Sequence, residues 1–334
     1  MIFWGTTKQK KQRYRCQFCH TTGIKKRSDL IFRNKEVLFE RWLLKTETLE
    51  RLAKSRHTKS SAVVKHFDVF WKKKVVPTPY TNNESVILVD GILLERNSCI
   101  LIAIDRRGFP ITWLECVREN TTSWKSLFLL IRKQIPNPSV IVSDGQKGLI
   151  RAIQTIFPTI PHQRCMTHVV RLAHAWLTRN PQTDAGKELR KIVGDLYQVH
   201  TKDDAKKWNE KFNEWQKRHH DFLKEKSFPI GKGRPWYTHR KLRAVRSLVL
   251  GALPELFTFL EVPNTPRTTN KLEGGVNSPI KALIRHHRGM KLQHRQTLVF
   301  RFLRARPCRK LNFLASPHQS TVVTTAQYHF QVGQ

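Results

Sequence analysis

SVILVDGILLERNSCILIAIDRRGFPITWLECV, residues 85–117, reads as three consecutive β-strands. Residues 85–94, 98–105 and 109–117 are rich in β-branched and aromatic side chains, and the polar segments 95–97 and 106–108 between them are short enough for tight turns. Such spacing predicts an antiparallel meander. Working outward, residues 122–135 carry helical periodicity, 140–143 (VIVS) form a buried strand ending at Asp144 and Gly145, a helix follows to residue 157, and residues 161–165 make a last short strand.

Three strands, helix, strand, helix, strand is the order of a ribonuclease-H-like mixed sheet, so the expected class is α/β. Residues 82–168 form the first part of this core. Residues 169–266 turn helical and strongly polar and read as an all-α insertion, closed by Pro263 and Pro266; residues 267–306 then return to the core as its last helices. Upstream, residues 35–44, 47–54 and 59–74 have helical patterning, which makes 31–76 a helix-turn-helix module. Pro77 and Pro79 mark a linker, residues 1–30 read as a small irregular module, and residues 307–334 are unassigned.

Asp90 interrupts an apolar strand, ILVDGIL, where an uncompensated carboxylate costs several kcal/mol. A cation explains its presence. Asp144 ends the next buried strand and is followed by a turn glycine, so its side chain can project past the sheet edge toward Asp90; an Asp that merely caps a turn or helix is the plain alternative for either residue. A third acid is expected at Glu273. With Asn270, Asn277 and Lys281 it follows i, i+3, i+7, i+11 spacing and shares one helix face, while Leu272, Val276 and Leu283 cover another. Glu188, Glu255 and Glu261 are alternatives for the third position. Three convergent carboxylates are the hard ligand set that holds two Mg²⁺ (or Mn²⁺) ions for phosphodiester chemistry.

The charge agrees with that chemistry. Lys and Arg number 61 against 25 Asp and Glu, a formal net charge of +36, and nucleic acid is the polyanion that offsets such an excess through counterion release. Nine Trp and 18 Phe imply a packed core, unlike a short histone-like binder. The basic residues spread along the whole length and no apolar run reaches membrane-span length, so a membrane partner is not expected. The scattered cysteines lack a disulfide framework, which points to a reducing cytoplasm.

These segments resemble the mutator-type transposases, the group that includes bacterial insertion-sequence enzymes and eukaryotic mutator-like elements. The resemblance rests on ILVDGI around Asp90, VIVSDGQKGL around Asp144, FPTIPHQRCMTHVVR around Cys165 and His168, and TTNKLEGGVNSPIKALIRHHRGM around Glu273, and it covers most of residues 10–307. It implies an enzyme that binds the terminal inverted repeats of its own element, cuts DNA with Asp90, Asp144 and Glu273 as catalytic metal ligands, and joins the freed end to target DNA. It further implies double-stranded DNA as partner, a homodimer or larger assembly that brings two ends together, and a nucleoid-associated protein of a prokaryotic host. Cys165 and His168 match the family's Cys-x-x-His signature. Two ligands are too few for zinc, so the pair shapes the active site, touches the DNA strand or packs in the core. Arg288 matches an Arg-Gly after the catalytic helix and can hold a phosphate.

Cys16 and Cys19 have the knuckle spacing of a Zn²⁺ ribbon, and QRYRC resembles the second half of the ribbon in relatives. No second knuckle exists nearby. Either the first knuckle is lost upstream, which is the favoured reading, or His20 and another group complete a site, or no metal binds. In the helical module, Ser60, Ser61 and Lys65 fall on the expected recognition helix, where they can contact phosphates or base edges, and Asn270, Asn277, Lys281 and Arg288 complete the expected DNA-binding set.

Overall fold

In the computed structural model the chain is described over residues 1–24, 28–229, 231 and 233–313, and it divides into two compact units, residues 1–75 with 279–301 and residues 76–278 with 302–334. The unassigned stretch 307–334 lies mostly outside the described residues.

The first unit opens with a three-stranded antiparallel sheet, β1 (Ile2–Thr6), β2 (Gln12–Arg15) and β3 (Thr22–Ile24). The sequence reading had an irregular module here, because the strands are short and mostly exposed and so lack the apolar alternation that marks a strand. The helices are α1 (Ser28–Leu43), α2 (Leu49–Ser55), α3 (Ser60–Lys65) and α4 (Asp68–Lys72). Thr48 caps α2 by accepting the Arg51 amide at 3.2 Å. The single helix expected over 59–74 is broken at His66 and Phe67, and the break lets Val63, Phe67 and Phe70 all enter the core.

Phe39, Trp42, Phe67, Phe70 and Trp71 form one aromatic cluster with ring centroids about 5–6 Å apart. Beside it Arg301 is fully buried, its Nη1 at 2.5 Å from Glu36 and 2.8 Å from Glu40, its Nη2 donating to the Phe70 carbonyl. A buried guanidinium persists only with such partners.

In the second unit, β4 (Val86–Glu95), β5 (Ser98–Asp105) and β6 (Pro110–Cys116) form the predicted meander. After α5 (Thr121–Gln134), strand β7 (Val140–Ser143) pairs parallel with β4, and after α6 (Lys147–Ile156), β8 (His162–Arg164) pairs parallel with β7. The result is a mixed five-stranded sheet in the order β6-β5-β4-β7-β8. β5 is buried at every position, as a central strand covered on both faces must be. Trp124, Leu127, Phe128 and Ile131 of α5 and Leu149, Ala152 and Ile153 of α6 pack on the sheet residues Ile87, Val89, Leu101 and Ile141.

Helices α7 (Met166–Leu177), α8 (Asp184–Gly194), α9 (Lys202–Arg218) and α10 (Arg240–Leu256) build a second core around Leu189, Trp208, Phe212, Trp215, Val245 and Val249. Thr201 and Asp204 close a capping box at the start of α9. The stretch is not all-α as expected. Strands β9 (Lys226–Ser227) and β10 (Trp236–Tyr237) form an antiparallel hairpin, because Pro229, Gly231, Gly233 and Pro235 between them cannot continue a helix. The chain continues through α11 (Asn270–Leu272), a π-helical turn over Glu273–Asn277, α12 (Ser278–His286) and α13 (Leu292–Phe313). No described helix is long and apolar enough to cross a membrane.

Candidate active site

The sheet carries Asp90 near the middle of β4 and Asp144 just past the end of its parallel neighbour β7. Gly145 follows with φ +79°, and a Cβ there would lie 2.4 Å from the Arg164 side chain, so glycine alone permits this turn. The turn fixes Asp144, whose Oδ1 accepts the Gln146 amide at 3.0 Å. Asp90 Oδ1 accepts the Gly91 amide and its Oδ2 the side-chain amide of Asn277, both at 2.8 Å. Burial, followed by the charges of Asp144 and Glu119, raises the Asp90 carboxyl to about 7 against the pull of the Gly91 amide and of His168.

Glu273 sits one turn before Asn277. Its Oε2 accepts Arg171 Nη1 at 2.7 Å, its Oε1 accepts the Thr269 hydroxyl at 3.0 Å, and His168 Nδ1 lies 3.6 Å from Oε1. Burial works against the charge, but Arg171, His168 and Thr269 outweigh it and hold Glu273 below the ordinary carboxylate value.

The Cys-x-x-His pair belongs to the same cluster. Cys165 Sγ accepts both the backbone amide and the hydroxyl of the buried Thr269 at 3.3 Å. Thr269 precedes α11, so the cysteine at the start of α7 ties down the turn from which Glu273 projects. Burial pushes the Cys165 thiol up, yet hydrogen bonds from His168 and Thr269 leave it below its usual value. His168 is raised to about 9 by its hydrogen bond with Cys165, against burial, and by the charges of Glu273 and Asp144. Ligand atoms of Cys165, His168 and Glu273 lie within 4.8 Å of one another, a grouping that could hold a cation. Because His168 and Asp144 both act on Asp90, Asp144 also acts on His168, and His168 adjoins Glu273, the three expected acids share one electrostatic neighbourhood.

Two features of the site escaped the sequence. Glu119, just before α5, tucks its carboxylate over β4: a Cβ on Gly91 would lie 2.2 Å from Glu119 Oε1. Burial and the Asp144 charge raise Glu119, whose Oε1 accepts the Cys99 thiol at 3.3 Å. The available signal was Gly91, since a glycine inside a strand marks a close approach. The second is the Ser143–His162–Glu255 chain behind Asp144, with Ser143 Oγ 2.7 Å from His162 Nε2 and His162 Nδ1 3.0 Å from Glu255 Oε2. Glu255 thus braces β8, and Glu188 pairs with Arg218 and His219 among the helices.

The helix face differs from the sequence expectation. The π-turn at Glu273–Asn277 adds a residue to the winding, so Asn277 is buried against Asp90 while Asn270 and Lys281 are exposed. Gly275 is approached by Arg306, whose guanidinium donates to the Gly275 and Gly108 carbonyls. Ser60, Ser61, Lys65, Lys281 and Arg288 belong to the first unit, where Ser60 is half-buried and the others are exposed. Cys16 is half-buried and Cys19 exposed, the latter lowered to about 7 chiefly by Thr21. Among the described residues no third His, Cys, Asp or Glu joins them.

Residues 91–226 match the profile described as Transposase, Mutator family. Over this segment the chain is similar to the Mutator transposase family. The matched segment contains Asp144, Cys165 and His168; Asp90 stands one residue before it and Glu273 beyond it. A probable insertion-sequence transposase of Corynebacterium diphtheriae is 21% identical over 189 residues, 51% of this chain and 54% of that protein. An insertion-sequence transposase of Lactococcus lactis is 31% identical over 100 residues, covering 27% and 26% of the two chains, and one of Rhizobium meliloti is 30% identical over 103 residues, covering 30% and 26%. The chain thus spans about half or less of the length of these relatives. A simian T-cell lymphotropic virus intasome in complex with a PP2A regulatory subunit aligns with a TM-score of 0.21 at 9% identity over 44% of this chain and 64% of that one, too weak a likeness to bear on the fold.

Proposed function

We propose that the chain is a transposase that cuts the ends of its own insertion element and joins them to target DNA, with Asp90, Asp144 and Glu273 holding two Mg²⁺ or Mn²⁺ ions. The observation that carries this reading is the bond from Asn277 to Asp90, which draws the Glu273 helix onto the strand next to Asp144. The arrangement of a three-strand antiparallel meander followed by two parallel strands supports a ribonuclease-H-like core, and the short helices of the first unit support a helix-turn-helix reader of double-stranded DNA.

The residues present fit a divalent cation. Asp90 is held near a pKa of 7 by burial and neighbouring carboxylates, the condition that a bound cation relieves. Asn277 Oδ1 is buried beside Asp90 without a hydrogen-bond partner, a spare hard oxygen at that place. Bound ions of this kind activate a water or 3′-hydroxyl and stabilise charge on the phosphate.

The protein's own groups do the rest. Asn277 and the Gly91 amide fix both Asp90 oxygens. Arg171, Thr269 and His168 orient Glu273, and the His168 proton, retained at neutral pH, offsets the negative charge of the acids. Arg171, more than half exposed, is free at its outer side to meet a DNA phosphate. Two element ends must meet, which calls for a homodimer or larger assembly.

The test uses the full chain, Mg²⁺ and an oligonucleotide carrying the element's end. Cleaved and joined products are expected, lost on chelation and in Asp144→Asn while DNA binding persists. Binding with no cleavage under any divalent ion refutes the enzymatic reading, and strand transfer by Asp144→Asn refutes the site.

A further inference from the structure

We propose that the β9–β10 hairpin and the start of α10 form a binding surface for unpaired nucleobases of a DNA strand, a site apart from the carboxylate cluster; the proposal rests on the DNA reading above. Phe228 is 73% exposed, and Trp236 and Tyr237 are each 39% exposed. Water contact on three aromatic rings within ten residues is costly for a surface with nothing to bind.

Their surroundings identify the occupant by charge. Between Glu225 and Glu255 the sequence has seven Lys and Arg and no Asp or Glu. Three of these cations lie over the rings: Arg243 at 3.5 Å and Lys226 at 5.8 Å from the Tyr237 centroid, and Arg240 at 5.4 Å from that of Trp236. An aromatic ring with a guanidinium on it offers a π-face for a base and a positive charge for the adjoining phosphate. An acidic peptide uses the charge but does not stack on the flat ring faces. Paired bases keep their faces stacked inside the duplex, so the ligand that uses both features is a strand whose bases are unstacked.

The hairpin is also held in place at its base. Thr238 donates its amide to the Glu225 carbonyl at 3.0 Å, and Ser227 and Thr238 share a hydroxyl bond of 2.8 Å. His239 stacks on Phe222 with centroids 3.7 Å apart and lies 2.9 Å from Glu225. Arg243 donates to the Leu223 carbonyl at 2.9 Å while it covers Tyr237, so the ring and its cation are positioned before any ligand arrives.

The experiment measures binding of the full chain, without divalent ions, to a fully paired duplex and to the same duplex with a short unpaired stretch. The wild type is expected to prefer the opened duplex. Trp236→Ala with Tyr237→Ala should weaken that complex about tenfold or more while leaving the paired duplex within about twofold, and Trp236→Phe with Tyr237→Phe should restore it. Equal losses on both duplexes, or none, overturn the proposal. Photocrosslinking of 5-iodouracil in the unpaired stretch to the unmutated chain provides a second readout independent of folding: adducts within residues 226–243 support the site, and adducts only elsewhere overturn it. Cleavage in Mg²⁺ is scored separately. A chain that cleaves but has no preference for opened DNA loses this inference alone, whereas one that neither binds nor cleaves DNA loses the transposase reading itself.

Discussion

Replacing Asp90 by Asn should make the metal-free protein more stable while abolishing DNA cleavage. The Asp90 carboxyl is raised from 3.8 to about 7 in the folded chain, first by burial. Each pH unit corresponds to about 1.4 kcal/mol, so at pH 8 the ionised group costs the fold on the order of 4 kcal/mol. Asparagine cannot ionise, and its oxygen can still accept from Asn277, but one of the two charge-assisted bonds of Asp90 is lost, at a cost of about 1.5–2 kcal/mol. The net expectation is a gain of about 2 kcal/mol at pH 8, a few degrees in Tm. The sign depends on pH in a defined way. Below about pH 4 the acid is neutral in both states and the gain vanishes; it grows between pH 4 and 7 as the wild type loses stability, then levels off. Urea unfolding across pH 4–8 in chelator measures it, and added Mg²⁺ should stabilise the wild type but not the variant. An Asp90→Asn protein less stable than wild type at pH 8, or a difference flat with pH, refutes the reasoning.

Thr269→Val keeps the shape of the residue but removes the hydroxyl shared by Cys165 and Glu273; cleavage should slow about tenfold with DNA affinity unchanged, as single-turnover rates beside binding curves can show. Gly91→Ala should drive the flexible Glu119 carboxylate away from β4 at a stability cost of only about 1 kcal/mol, and it should flatten the pH dependence of stability between pH 4 and 7; an unchanged slope counts against Glu119 as a contributor to the Asp90 environment. Arg301→Ala leaves Glu36 and Glu40 without their buried cation and should destabilise the chain by about 3–5 kcal/mol in urea unfolding. A loss below about 1 kcal/mol excludes that ion cluster as a source of stability.

The sheet was legible because its strands are nearly continuous apolar runs separated by short turns, and each strand of the five-stranded sheet lies within two residues of the expected range. Asp90 stood out through the contrast between one carboxylate and seven apolar neighbours. Glu273 was different: 129 residues separate it from Asp144, and only the motif resemblance selected it over Glu255, which instead approaches His162. Glu119 lacked any periodic context, since its burial depends on the missing side chain of Gly91 on another strand. Asn270 and Lys281 were expected on the face of Glu273 and Asn277 but are exposed, because spacing arguments assume 3.6 residues per turn throughout and the π-turn interrupts that winding. The β9–β10 hairpin, with two residues per strand and a Pro- and Gly-rich loop, has no period long enough to detect.

The wide turn at Glu273–Asn277 acts as a dislocation in an otherwise regular spiral. One surplus residue sets Asn277 back by about 100° relative to uninterrupted winding, which carries it off the exposed side occupied by Asn270. Glu273 and Asn277, four residues apart, still share one side of this span, so the acid and the amide that holds Asp90 approach the sheet together.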